Sequence, residues 1–129
     1  MAHKYHPDQQ NRPLLEALSA VLTAAGHHTH CVVRDVEQWG AIALPPTELM
    51  SVAFNLIEAS EVLLVEFSEK GVGIGIEVGY ASAKGIPIWV IAPHGADISD
   101  TLRGVAEQVL FYGEVAEVGE LLRPLLLIE

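Results

Sequence analysis

The sequence predicts an α/β protein: a three-layer sandwich with a parallel sheet of four to five strands, the first of them short or missing. Three observations predict it. Helix-like and strand-like segments alternate along the chain. The two best strand candidates, SEVLLVEF (60–67) and PIWVIA (87–92), are apolar on both faces, as in strands covered on both sides by helices. A glycine-rich turn follows the first of them, at the carboxyl end where open α/β sheets hold ligands.

The elements follow in order. Asp8 or Asn11 is placed to cap a first helix that has Pro13 in its first turn and runs to about Ala25. Leu14, Leu15, Leu18, Val21 and Leu22 recur at helical spacing, and Gly26 is a natural stop. THCVVRD (29–35) reads as a strand, and VEQWGAIALPP as a loop closed by Pro45 and Pro46. A second helix spans about Thr47 to Ala59, with Thr47 as its cap. After SEVLLVEF, the stretch KGVGIGIEVGYASAKG forms a loop and a third helix from about Gly73 to Lys84. PIWVIA is the next strand. PHGADISD is a loop whose Ser99 or Asp100 caps a helix to about Gln108. VLFYG reads as a last short strand and Val115 to Leu127 as a final helix. Only Met1 to Tyr5 precede the first helix region, where such folds begin with a buried strand. A stunted strand is the favoured reading; a partner chain filling the gap and a late start of the reading frame stay open.

The 129 residues read as one domain, 1–129, without repeats or linkers. No apolar run is long enough to span a membrane, and MAHKYHPDQQNRP has no secretory apolar core, so a cytoplasmic location is expected. The lone Cys31 has no internal disulfide partner and reads as an inert core residue. Seventeen acidic against seven Lys and Arg residues, a net charge of −10, argue against a nucleic-acid polymer as partner. A small anionic ligand stays open, because helix-start N–H groups hold phosphate whatever the global charge.

The chemistry concentrates in the glycine-rich turn. Gly71, Gly73 and Gly75 let a ligand approach the backbone and allow positive φ where needed. Glu77 follows, where a helix should be starting. There the helix dipole favours an ionised carboxylate, as an attacking nucleophile requires. Helical spacing puts Tyr80 and Lys84 on its side. From spacing alone the favoured reading of Glu77 is an ordinary first-turn acid, worth about 0.3–1 kcal/mol against the dipole. The turn lacks the Lys and Ser/Thr of a P-loop, and a dinucleotide-binding turn normally follows the first strand.

The run ASEVLLVEFSEKGVGIGIEVGYASAKGIPIWVIAPHG, with the later SDTLRG (99–104), resembles the nucleoside 2-deoxyribosyltransferase-like superfamily, including its 2′-deoxynucleoside 5′-monophosphate N-hydrolases. The likeness covers about a third of the chain, Ser60 to Gly104. It implies a Rossmann- or flavodoxin-like fold and N-glycosidic cleavage or deoxyribosyl transfer on a nucleoside or nucleoside 5′-monophosphate. In it Glu77 attacks the anomeric carbon to form a covalent glycosyl-enzyme, by the logic of retaining glycosidases. Ser99 would bind a 5′-phosphate, in one reading across a dimer interface; read without the family, it is a helix cap. The resemblance further implies a homodimer or higher homo-oligomer and no cofactor. The chain departs from the pattern in three places. The family's acid on the preceding helix falls at Ala53, a phosphate-binding serine falls at Gly71, and the first strand with its glycine-rich loop shrinks to HKYHPD. Glu48, Asp35, Glu37, Tyr5 and His6 are the candidate substitutes; Glu48 otherwise serves its own helix start, and Asp35 and Glu37 read as solvated.

Further substrate-binding candidates are Glu66, at a strand's carboxyl end, which would orient Tyr80 or a ligand hydroxyl or simply face water; His94, on the loop after PIWVIA; and Trp39, as a base-stacking ring or a loop anchor. GHHTH (26–30) lacks the acids or cysteines of a metal site and reads as a solvent-exposed histidine cluster. Three functions remain open: an N-glycosidase or transferase, with a phosphoribohydrolase-like enzyme as its neighbour; a non-catalytic nucleotide sensor; and an interaction domain that dimerises through apolar helix faces.

Overall fold

The computed structural model describes residues 12–68 and 71–126, with side chains through Leu122 in the last helix. Among the described residues five α-helices and three strands follow in order: α1 (Arg12–Ala24), α2 (Pro46–Glu58), β1 (Leu63–Glu66), α3 (Val72–Ala83), β2 (Ile88–Pro93), α4 (Asp100–Val105), β3 (Gln108–Tyr112) and α5 (Val118–Leu126). The strands form one parallel sheet in the order β1-β2-β3. Leu63 pairs with Ile88, and Trp89 with Gln108.

Alternation along the strands builds two cores, because successive side chains leave a strand on opposite faces. Leu63, Val65, Phe67, Ile88, Val90 and Ala92 pack with Ile57, Ile74, Val78, Ala81 and Leu102 under α2, α3 and α4. Leu64, Trp89, Ile91 and Tyr112 pack with Leu18, Leu22, Val118 and Leu122 under α1 and α5. Val65, Val90 and Ile91 have no exposed surface. Each such side chain contributes about 1.5–3 kcal/mol relative to an exposed one. The all-buried β1 matches the strand read as apolar on both faces.

The described residues hold three strands, not four to five. Met1 to Tyr5, Asp8 and Asn11 lie outside them. The other difference is THCVVRD, which is not a strand. Val32–Val36 winds into a π-type turn, with Glu37 N–H donating to the Val32 carbonyl at 2.9 Å. Local side-chain bonds outcompete a ladder here. The Asp35 carboxylate accepts the Cys31 N–H at 2.9 Å and bonds the Arg34 fork at 2.7 and 2.8 Å. Arg34 also donates to Ser19 and to the Thr29 carbonyl. Its guanidinium holds Asp35 below the usual carboxylate range. Asp35 is therefore a structural clasp and not a merely solvated acid.

Smaller corrections concern helix ends. Pro45 caps α2 and Pro46 opens it, so Thr47 is inside the helix. Proline suits a first helical position because the N–H it lacks has no intrahelical partner there. The helix α4 stops at Val105, short of Gln108, because Glu107 N–H already bonds the Ile88 carbonyl at 2.8 Å to start β3. Gly26 follows α1 with φ +93°, a left-handed stop that glycine adopts without steric cost.

Candidate functional site

The helix α3 starts at Val72, one residue earlier than its glycines suggest, with Gly71 extended at the cap position. That start puts Glu77 in the second turn. No acid lies in the first turn of α3, so the dipole field, which fades within one turn, does not hold Glu77 ionised. Gly73 and Gly75 lie inside the helix without positive φ. A Cβ on either would meet nothing within 4 Å, so both leave open space beside the helix.

Glu77 points toward α2. It lines a narrow crevice with Ala53, Leu56 and Ile57 of α2, Leu63 at the start of β1, and His30 and Val32. The crevice holds about 20 Å³, roughly the room for one water. Among the described residues, no hydrogen bond or salt bridge reaches the carboxylate. Burial among apolar groups pushes its pKa up to about 7. A carboxyl poised there exists in both protonation states at neutral pH, as acid–base chemistry requires.

The fold brings Ala53 of α2 to the same crevice as Glu77 of α3. Tyr80, one turn on, is engaged otherwise. Its ring stacks on Phe54 at 4.0 Å and 9°, with the Lys84 ammonium 5.5 Å from its centroid. Lys84 pairs with Glu58 at 3.3 Å, closing the α2–α3 seam. Gly73 shares this flank of α3 by helical spacing.

The remaining candidates lie apart. Ser99 occupies the cap position of α4 but makes no side-chain cap bond. It lines a different cleft, of about 330 Å³, with Phe67, Gly71, Gly75, Gly79 and Thr101. That cleft is on the α4 flank of α3 and Glu77 is on the α2 flank, so the helix itself separates them. Within one chain Ser99 and the Gly71–Gly75 edge do not join Glu77.

Glu66 is fully buried on the α1–α5 face of the sheet, opposite Glu77. It accepts the Tyr112 hydroxyl at 3.3 Å and the Ser68 hydroxyl. Burial and the Glu66 charge push the Tyr112 phenol up to about 12. Glu66 therefore faces Tyr112, and neither water nor Tyr80. His94 is exposed on the turn after β2, its N–H bonded to the Tyr112 carbonyl at 3.0 Å and its ring 6.5 Å from Phe111.

Trp39 anchors its loop over Leu15, Cys31 and Val33, with Arg12 4.8 Å above the ring. Its φ of +57° follows Gln38 at +48°, a rare conformation for non-glycine residues. Glu48 is exposed in the first turn of α2. Glu37 is half-buried, and burial raises its pKa. Tyr5 and His6 lie outside the described residues. Among the described residues no three His, Cys, Asp or Glu side chains converge on a metal position, and no helix is long and apolar enough to cross a membrane.

His30 keeps the solvent exposure expected of the 26–30 cluster and also lines the Glu77 crevice, a placement that leaves no periodic signal in the sequence.

No protein-family model matches the chain, and no curated protein matches it in sequence. In three dimensions it is similar to the Clostridium botulinum CMP N-glycosidase BcmB, with a TM-score of 0.68 and 18% identity over 93% of this chain and 94% of that one. At that identity the likeness establishes a shared α/β fold.

Proposed function

We propose that this protein cleaves the N-glycosidic bond of a nucleoside 5′-monophosphate, or transfers its sugar, with Glu77 as the nucleophile. One observation carries the reading. A carboxylate on the helix after the glycine-rich turn is held in a largely apolar crevice beside position 53, with its pKa near neutrality. The fold shared with a CMP N-glycosidase supports the substrate class. In the proposed step the ionised Glu77 oxygen bonds the anomeric carbon as the C–N bond breaks. The departing base takes a proton from solvent or a neighbouring acid, and water or a second base then releases the sugar. His30, on the same crevice, is the described group best placed for that proton. Phosphate recognition by Ser99 would require a second copy of the chain, since α3 stands between Ser99 and Glu77 within one.

The test is release of free base from CMP and dCMP, with wild type and Glu77→Gln compared after both are shown to fold. Wild-type turnover with a glycosyl adduct on Glu77, lost in the variant, is the expected result. Equal base release by the variant would remove Glu77 from the mechanism.

A second reading, nucleotide binding without turnover, draws on Ala53, which has no proton to give, and on the narrowness of the crevice. Stabilisation of the wild type by CMP with no base released would establish it.

A further inference from the structure

The crevice at Glu77 holds about 20 Å³, whereas sites that take up small molecules hold roughly 300 Å³ or more. A sugar reaches the carboxylate only if a wall moves. The walls differ in how they are held. α2 and α3 are locked together by Ile57, Ile74, Val78 and Ala81 in one buried cluster, by the Phe54–Tyr80 stack and by the Lys84–Glu58 pair. Ser60 is tied back to the Leu56 carbonyl at 2.7 Å, and Leu63 sits in the ladder beside Ile88.

The last wall, His30 and Val32, belongs to residues 29–44, in the connection between α1 and α2 and outside the sheet. This segment is braced within itself. Asp35 N–H donates to the Cys31 carbonyl at 2.7 Å, Glu37 N–H to Val32 at 2.9 Å and Ile42 N–H to Glu37 at 3.0 Å. Its side chains Cys31, Val33 and Trp39 stand apart from both large cores, in a small cluster with Leu15 of α1. Arg34 reaches across to the Ser19 hydroxyl of α1 at 2.6 Å. Gln38 and Trp39 carry φ of +48° and +57°, a costly conformation for non-glycine residues. Residues that absorb such backbone changes are where lids turn. Beyond them residues 41–43 are exposed.

We propose that residues 29–44 are a lid on the Glu77 crevice, latched to α1 through Arg34 and Ser19 and hinged at Gln38 and Trp39, whose lifting admits the sugar. The purpose of the movement rests on the cleavage proposed at Glu77. The movement itself is measured without turnover, so either reading can fail alone.

Labelling by iodoacetamide under native conditions reads the movement, with the modified residues located by mass spectrometry. Cys31, the chain's one cysteine, is 2% exposed beneath the lid. In wild type it should react at a rate that changes little with urea below the unfolding transition, as for a local opening that exposes little surface. Ala53→Cys sets a second thiol in the crevice, at a buried position, and that thiol should react in step with Cys31. Ser19→Ala removes the latch acceptor and should speed both reactions by about tenfold or more, the size of a hydrogen bond to a charged group. Lys84→Ala, which loosens the α2–α3 seam, should speed neither. A Cys31 rate that climbs with urea in parallel with global unfolding would overturn the lid. So would a thiol at position 53 that stays inert while Cys31 reacts, no effect of Ser19→Ala, or acceleration by Lys84→Ala in its place. The wild-type urea series decides alone should the variants fail to fold.

Discussion

Ala53 on α2 and Glu77 on α3 line the same narrow crevice, whose α2 wall, with Leu56 and Ile57, is apolar. Burial there decides the proton affinity of the carboxylate, lifting the pKa to about 7. Two of the predictions below follow from that one relationship.

A nucleophilic carboxylate must be ionised. With its pKa at about 7, base release should rise close to tenfold per pH unit on the acidic side and level off above neutrality. A pH profile of kcat/KM for CMP or dCMP checks this. A flat profile between pH 5 and about 8 would separate the chemistry from Glu77.

The same shift appears in stability. Glu77 binds its proton more tightly folded than at its ordinary value of 4.5, so the folded chain holds extra protons between 4.5 and about 7. Stability from this group is fully present below 4.5, falls as pH rises to about 7, and is level beyond. Glu77→Gln should therefore stabilise the fold at pH 8 by about 1–3 kcal/mol and have little effect in acid. Urea unfolding at the two pH values measures the difference, and an equal effect at both would contradict the buried, raised carboxylate.

Gly79 is helical, has no positive φ, and leaves nothing within 4 Å of a built Cβ. Gly79→Ala should stabilise by roughly 0.5–1 kcal/mol, the helix penalty of glycine. A lower melting temperature would mean that the open α4 flank of α3 is occupied in solution.

Tyr112→Phe removes the phenol that Glu66 accepts beneath the sheet. The loss should be about 1–2 kcal/mol, the cost of withdrawing a partner from a buried carboxylate. Base release should not change, because Glu66 and Glu77 lie on opposite faces of the sheet. Activity lost at unaltered stability would place the Glu66 cluster in the site.

Much of this architecture is legible from apolar periodicity. β1, β2 and the buried faces of α1 and α3 follow from runs such as LLVE and IWVIA, because burying both faces of a strand leaves no polar position to interrupt it. THCVVRD carries the same apolar signal yet becomes a turn. Its fate depends on the Arg34 fork reaching Ser19 on another helix. The raised proton affinity of Glu77 is not legible in the sequence for a related reason. Its distance from the helix start and the apolar neighbours from α2 and β1 are not written in its local sequence.

By itself, the sequence determined the alternating elements, the apolar double-sided strands and the carboxylate after a glycine-rich turn, since these rest on local spacing and composition. Tertiary structure alone decided which flank of α3 each group occupies. It set Glu77 beside Ala53 and His30, left Ser99 across the helix, and buried Glu66 against Tyr112. The physical reason is that burial and charge are collective. A side chain's proton affinity and reach are set by neighbours from distant segments, and only the packed sheet and helices bring those neighbours together.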